Sequence, residues 1–302
     1  MASIIHYFGI YKKFKLFTRD ADKYMATENA LLTILVEKTN NDTLVLPTLP
    51  AIALKVRRAA DDPNINLNAM ADVIGQDPSL SARMIKISNS SYLGRSVKVT
   101  STQQAVTRIG LVQIKNIATA LAMEQLFVSK NTIVKQYMEK AWNDTIDVVA
   151  YSLAALATHV KLTKNRQLSL DSLMLAALMH NIGVLPILTE AERHAEVFAN
   201  PTFLEVAIDK LSGEIGAGIM QKWGFEPEFV NVAQNWKDLS VQSNEINYLD
   251  FVRLGAALSG KLERHKEQIF NQAVEKGIVD NLSEFLTDEF DELRANAKQI
   301  FQ

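Results

Sequence analysis

Trp142, Ile146, Val149, Leu153, Leu156 and Val160 recur at spacings of four, three, four, three and four residues, which puts all six on one stripe of an α-helix. The other side of the same helix carries Val148, Tyr151 and Ala155. A helix that is apolar on two sides has to be packed between neighbours rather than laid on a surface. The chain must therefore supply further helices around it. It has the material: long stretches of Ala, Leu, Lys, Gln and Glu, only 12 Gly and 7 Pro, and few β-branched alternations, which together predict an all-α fold. At 302 residues the chain can bury a sizeable core, as one large domain or as two intimate lobes.

Helix punctuation is legible around this centre. Asp77-Pro78 offers an N-cap followed by proline at the first helical position, where the missing N–H costs nothing. Ser101 with Gln104 is a capping-box candidate, and Gly110 suits a helix end before Leu111 restarts the pattern. Near the C-terminus, Glu284, Asp288, Glu289, Asp291 and Glu292 precede Arg294 and Lys298, the order a helix dipole favours. Asn40-Asn41-Asp42 is the best break near the start.

Charge and cysteine content narrow the function classes. With 32 basic and 34 acidic residues the net charge is −2, so no global field attracts nucleic acid or an anionic membrane. The absence of cysteine removes disulfides, thiolate metal sites and thiol nucleophiles and fits a reducing compartment, so a cytoplasmic location is expected. No apolar run is expected to approach the ~20 residues of a membrane helix. Lys12, Lys13 and Lys15 follow rather than precede the first apolar residues, unlike a secretory signal.

Several separated motifs occur in one order: Leu46-Pro47-Thr48-Leu49-Pro50, Ile74-Gly75-Gln76-Asp77-Pro78-Ser79-Leu80, Asn89-Ser90, Ala105 to Gly110, Trp142, residues 178–183, Gly216-Ala217 and Trp223-Gly224-Phe225-Glu226-Pro227. In this the chain resembles the HDOD domain of bacterial signalling proteins over residues 44–240. The resemblance implies an N-terminal helical lobe (44–128) packed on a lobe similar to HD-type phosphohydrolases (129–240), in a family usually regarded as regulatory and non-catalytic. Residues 1–43 would be an N-terminal helical extension and 241–302 C-terminal helices. By themselves the prolines of Leu46-Pro47 and Leu49-Pro50 force an extended approach to the next helix. Asn89, Ser90 and Ser91 suit a helix end.

An HD-type hydrolase needs several imidazoles and carboxylates converging on metal. The resemblance maps the metal-binding positions onto Asp144, the doublet His180-Asn181, Ser212 and the neighbourhood of Asn235-Trp236. Only one histidine survives at them. Asn181 brings a neutral amide where a carboxylate should stand, Ser212 is a poor ligand, and Trp236 is none. We therefore expect these to be vestigial metal-site positions, with no catalytic residue, no metal and no cofactor, and His180 to be a hydrogen-bonded core residue. His159 matches no local ligand spacing, and His6, His194 and His265 read as surface residues. Gly213, Gly216 and Gly218 suit close helix packing better than a phosphate loop.

The leading functional expectation is a non-enzymatic signalling module that binds a protein partner, or a small ligand in the vestigial pocket. A metal-dependent phosphohydrolase with a reduced ligand set is the alternative. A second alternative is DNA binding, since Leu67–Ile74, a turn at Gly75-Gln76-Asp77 and Pro78–Ser88 read like a helix-turn-helix that exposes Ser79, Arg83 and Lys86. Asp61, Asp62, Asp72 and Asp77 oppose it electrostatically. Ile4 to Lys15 is apolar at helical spacing with a basic cluster, and we expect it to dock on the protein rather than on a membrane. Residues 241–302, with the apolar stripe of Tyr248–Leu258, either extend the core or form a homodimer contact.

Overall fold

The structure, a computed structural model, describes residues 30–90, 93, 97–194 and 201–301. The segment from Ile4 to Lys15, with His6, lies outside the described residues. Among the described residues every regular element is helical.

Helix α1 (Ala30–Asn40) ends at the predicted Asn40 break, where Asp42 adopts a positive φ of 53°. There follow α2 (Ala51–Ala60), α3 (Leu67–Gly75), α4 (Pro78–Ser88), α5 (Thr102–Ile109) and α6 (Leu111–Ala122), with a 3-10 turn at Met123–Leu126. Next come α7 (Thr132–Thr163), α8 (Leu170–Met179), α9 (Val184–Ala191), α10 (Pro201–Lys222) and α11 (Pro227–Asn235). Helices α12 (Tyr248–Leu258), α13 (Lys266–Glu275) and α14 (Asp288–Gln299) complete the chain.

Local sequence explains most of these limits. The Asp77 side chain accepts a hydrogen bond from the Leu80 amide at 2.9 Å, with Pro78 at the first position of α4. Gly110 takes φ 86°, open to glycine at little cost, so α5 can stop and α6 start at once. Ser101 caps α5 as expected, but the Gln104 carboxamide reaches back to the Thr100 amide, one residue before the cap, and so makes a displaced capping box. Asn89 ends α4 and clasps Val99 through two hydrogen bonds of 2.8 Å each. Glu284 lies in a separate 3-10 turn, so the final helix begins later, at Asp288.

The long helix α7 is central, as its two apolar sides require. It packs against α12 and α14 on one side and α8 and α9 on the other. Trp142, Ile146, Val149, Leu153 and Leu156 are buried on one stripe, and Val148 and Ala155 opposite. Helix α12 thus extends the core rather than standing free. The C-terminal flank also supplies Ile278, whose carbonyl lies 2.8 Å from the buried His159 Nδ1.

Two stretches, Thr132–Thr163 and Leu170–Ala191, are long and apolar enough to cross a membrane by length and composition, against the expectation that no run would be. Packing accounts for them: 67% and 83% of their most apolar windows are buried inside the protein, as in core helices that are apolar all round.

Motifs far apart in sequence meet in the fold. The Pro47 carbonyl, in the extended approach to α2, accepts a hydrogen bond from the Trp223 indole at 3.2 Å. The Arg57 guanidinium of α2 lies 4.2 Å above the Phe225 ring, a cation–π contact in a largely desolvated setting. The proline pairs and the Trp223-Gly224-Phe225 motif thus form one joint. Helix α1 docks on α10 and α9, where Lys38 reaches the buried Glu190 at 2.7 Å.

Candidate functional site

The site lies where α8, α10 and α11 converge in the second lobe. Helix α8 is apolar and buried from Leu173 to Met179, so His180 at its C-terminal cap is carried into the core and is only 3% exposed. The chain then turns through Gly183, where close approach leaves no alternative residue. A Cβ there would lie 1.9 Å from the Ser212 carbonyl oxygen and 2.6 Å from the Gly216 nitrogen. Gly213 meets the Gln234 carbonyl in the same way, at 2.5 Å. Gly213 thus brings α11 against the α10 backbone and Gly216 packs on the turn at Gly183, as the sequence suggested, whereas nothing approaches Gly218 within 4 Å.

His180 is held as a neutral imidazole. Its Nδ1 lies 2.5 Å from the Ala177 carbonyl, which requires a proton on Nδ1. The ring meets Trp236 edge-on at 4.6 Å. Burial lowers its pKa from 6.5 to about 4; the Ala177 hydrogen bond opposes this, the Lys237 charge adds to it, and Asp144 opposes it weakly. Only Nε2 is left to act as a ligand.

The other predicted positions are arranged around it, but not as a ligand shell. Asp144 gives one carboxylate oxygen to Lys140 at 2.8 Å and the other to Lys261 at 2.6 Å. Burial pushes its pKa up, yet these two ammonium groups outweigh it and hold the carboxyl below its ordinary range. Asn181 Oδ1 is buried and has no hydrogen-bond partner, and the same holds for the Trp236 indole nitrogen. Ser212 is buried, and its hydroxyl lies 3.5 Å from Lys237 Nζ.

A divalent ion fits this set poorly. Among the described residues no three His, Asp or Glu side chains are grouped so that they could hold a metal ion. What converges is one imidazole nitrogen, a neutral amide oxygen, a hydroxyl and a lysine ammonium. Catalytic zinc keeps three protein ligands, and harder ions want several oxygens with charge.

Two residues of the site escaped the sequence reading. Lys237 follows directly on the Trp236 position and brings its ammonium within 3.5 Å of the Ile208 carbonyl, Ser212 Oγ and Asp209 Oδ1. Burial draws its pKa down, against the pull of Asp209. Arg253 on α12 is buried and donates to the carbonyls of Asn235 (2.9 Å), Asp238 (2.5 Å) and Val241 (2.8 Å). It fixes the turn carrying Trp236 and Lys237. A lysine after a tryptophan at a helix end was the one visible signal; nothing local marked Arg253.

The remaining described histidines belong to no metal-holding group. His194, expected at the surface, is half-buried and lies 3.3 Å from Glu190, while His265 is exposed. Glu190 gathers Lys38, Arg193 and His194, which outweigh the upward push of burial and lower its pKa. The helix-turn-helix candidate, α3 and α4, does form. Its Arg83, however, pairs with Glu124 and donates to the Leu121 carbonyl at 3.2 Å, so it is spent inside the lobe.

Residues 46–239 match the family model of the HDOD domain. A crystal structure from Shewanella amazonensis SB2B, provisionally named a metal-dependent phosphohydrolase, is 39% identical with a TM-score of 0.87, covering 92% of this chain and 100% of that one. An HDOD domain protein of unknown function from Geobacter sulfurreducens is 17% identical with a TM-score of 0.56, over 89% and 98% of the two chains. A provisionally named signal transduction protein from Marinobacter aquaeolei VT8 is 21% identical with a TM-score of 0.55, over 86% of this chain and 59% of that one. An uncharacterised curated protein of Treponema pallidum is 26% identical over 196 residues, 62% of this chain and 36% of that protein. The chain thus spans little more than a third of the curated relative it matches.

Proposed function

The chain belongs to the HDOD domain family, and from that premise we propose that it is a non-catalytic regulatory module of bacterial signal transduction. In this reading it acts in the cytoplasm through contacts with a protein partner. Residues 44–128 and 129–240 would be its two lobes, flanked by segments 1–43 and 241–302, which include the surfaces open to partner or homodimer contact. The observation that carries the reading is the composition of the vestigial site. Asp144, His180, Asn181 and Ser212 supply one free imidazole nitrogen, one neutral amide oxygen and one hydroxyl, because both Asp144 oxygens are bound by lysines. Such a set lacks the charge and the number of donors that activate water on a metal. Asn181 Oδ1 and the Trp236 indole N–H, an acceptor and a donor buried without hydrogen-bond partners, are the atoms a small ligand would address.

The name of the Shewanella relative, which is metal-dependent, defines the test. Purified full-length protein is assayed against nucleotides and phosphodiesters with added Mn²⁺, Mg²⁺ or Fe²⁺, beside His180→Ala. The expected result is no turnover above that of the variant. Turnover that His180→Ala abolishes would overturn the reading.

A further inference from the structure

The poor fit to a divalent ion has a specific cause in Lys237. We propose that Lys237 is a tethered cation occupying the ground a divalent ion would need, so that the second lobe is closed to metal by its own ammonium group. The inference rests on the non-catalytic reading and deepens it.

Three oxygens on neighbouring turns of α10 surround the ammonium. Ile208 O, Ser212 Oγ and Asp209 Oδ1 each lie 3.5 Å from Nζ. The Trp236 ring lies beneath it, with Nζ 5.1 Å from the ring centroid, and the same ring meets His180 edge-on. The indole therefore touches both the ammonium and the imidazole. The oxygen set suits a monovalent, hydrogen-bonding cation: one carbonyl, one hydroxyl and a single carboxylate, which is itself largely exposed. A divalent ion bound by Ser212 would share that hydroxyl with the ammonium 3.5 Å away, and like charges at so short a range repel strongly in a part-buried site. The position is built rather than accidental. Arg253 holds the carbonyls on both sides of Trp236 and Lys237, at Asn235 and Asp238. Lys140 and Lys261 treat Asp144 likewise, neutralising it from within the chain.

Two measurements on the full chain test this. In the first, Mn²⁺ is titrated calorimetrically into Asn181→Asp/Ser212→His, which restores ligands, with Lys237 intact and with Lys237→Ala added. Binding is expected to be at least about tenfold tighter once the ammonium is gone. Equal affinity in the two proteins, absence of binding in both included, overturns the proposal. The second keeps the natural site and compares wild type with Lys237→Met, which retains the aliphatic stem. The His180 titration, followed by NMR of ¹³C-histidine-labelled protein and assigned with His180→Gln, is expected to move up in pH when the charge is removed. An unmoved titration overturns the proposal even where the restored-ligand variants fail to fold. Turnover by the wild type would sink the non-catalytic reading itself; an unmoved His180 titration in a protein without turnover sinks only the role of Lys237.

Discussion

Acidification should weaken this fold through His180, beginning as the pH falls below the ordinary histidine range. The imidazole titrates near its ordinary 6.5 in the unfolded chain and at about 4 in the folded one. As pH falls below 6.5 the unfolded chain takes up a proton that the folded chain refuses, so stability present above 6.5 drains away towards pH 4. The gap, at about 1.4 kcal/mol per pH unit, amounts to about 3 kcal/mol in full and about 2 kcal/mol between pH 7.5 and 5. Asp144 and Glu190, held below their ordinary range, also lose stability in acid, but at lower pH and in any His180 variant alike. Urea unfolding followed by circular dichroism at pH 7.5 and 5.0, for wild type and His180→Gln, isolates the effect, because glutamine can still donate to Ala177. The wild type should lose about 2 kcal/mol more than the variant over that interval. Parallel losses in the two proteins would refute the assignment of His180 as a buried neutral imidazole.

Other perturbations have outcomes fixed by geometry. Gly183→Ala places a methyl 1.9 Å from the Ser212 carbonyl and should cost about 3 kcal/mol or more in chemical unfolding, whereas Gly218→Ala, with nothing within 4 Å, should be neutral or stabilise by up to about 1 kcal/mol. Arg253→Met removes the guanidinium bonds to the carbonyls of Asn235, Asp238 and Val241, the first two of which keep a backbone donor; a loss of about 2 kcal/mol is expected, with a change in Trp236 fluorescence. Trp223→Phe removes the bond to Pro47 and should cost about 1 kcal/mol, read as a lower urea midpoint. Duplex DNA should not be retarded in a gel at any salt concentration, since Arg83 is bound to Glu124; retardation that weakens with salt would restore the nucleic-acid reading.

Features carried by neighbours in sequence were legible. The Asp77-Pro78 cap, the Gly110 break and the two-sided apolar helix each depend on residues within a turn or two, and the structure has them where expected. The candidate positions Asp144, His180 and Ser212 could be named only through the resemblance, because they lie far apart in sequence and no local spacing links them. What stayed hidden was long-range polar pairing. Lys261 on Asp144 spans 117 residues, Lys38 on Glu190 spans 152, and Pro47 with Trp223 spans 176. No periodicity records which charges meet across a core. The stretch Leu170–Ala191 holds Asp171, His180, Asn181 and Glu190, which break the apolar run in sequence, yet the mean hydropathy of its most apolar window is still 1.6.

The most direct measurement is anomalous X-ray scattering from crystals of the full chain grown with Mn²⁺. The account predicts no anomalous peak beside His180, and the Lys237 ammonium within hydrogen-bonding reach of Ser212. A manganese ion there, held by four or more side chains including His180, would contradict it.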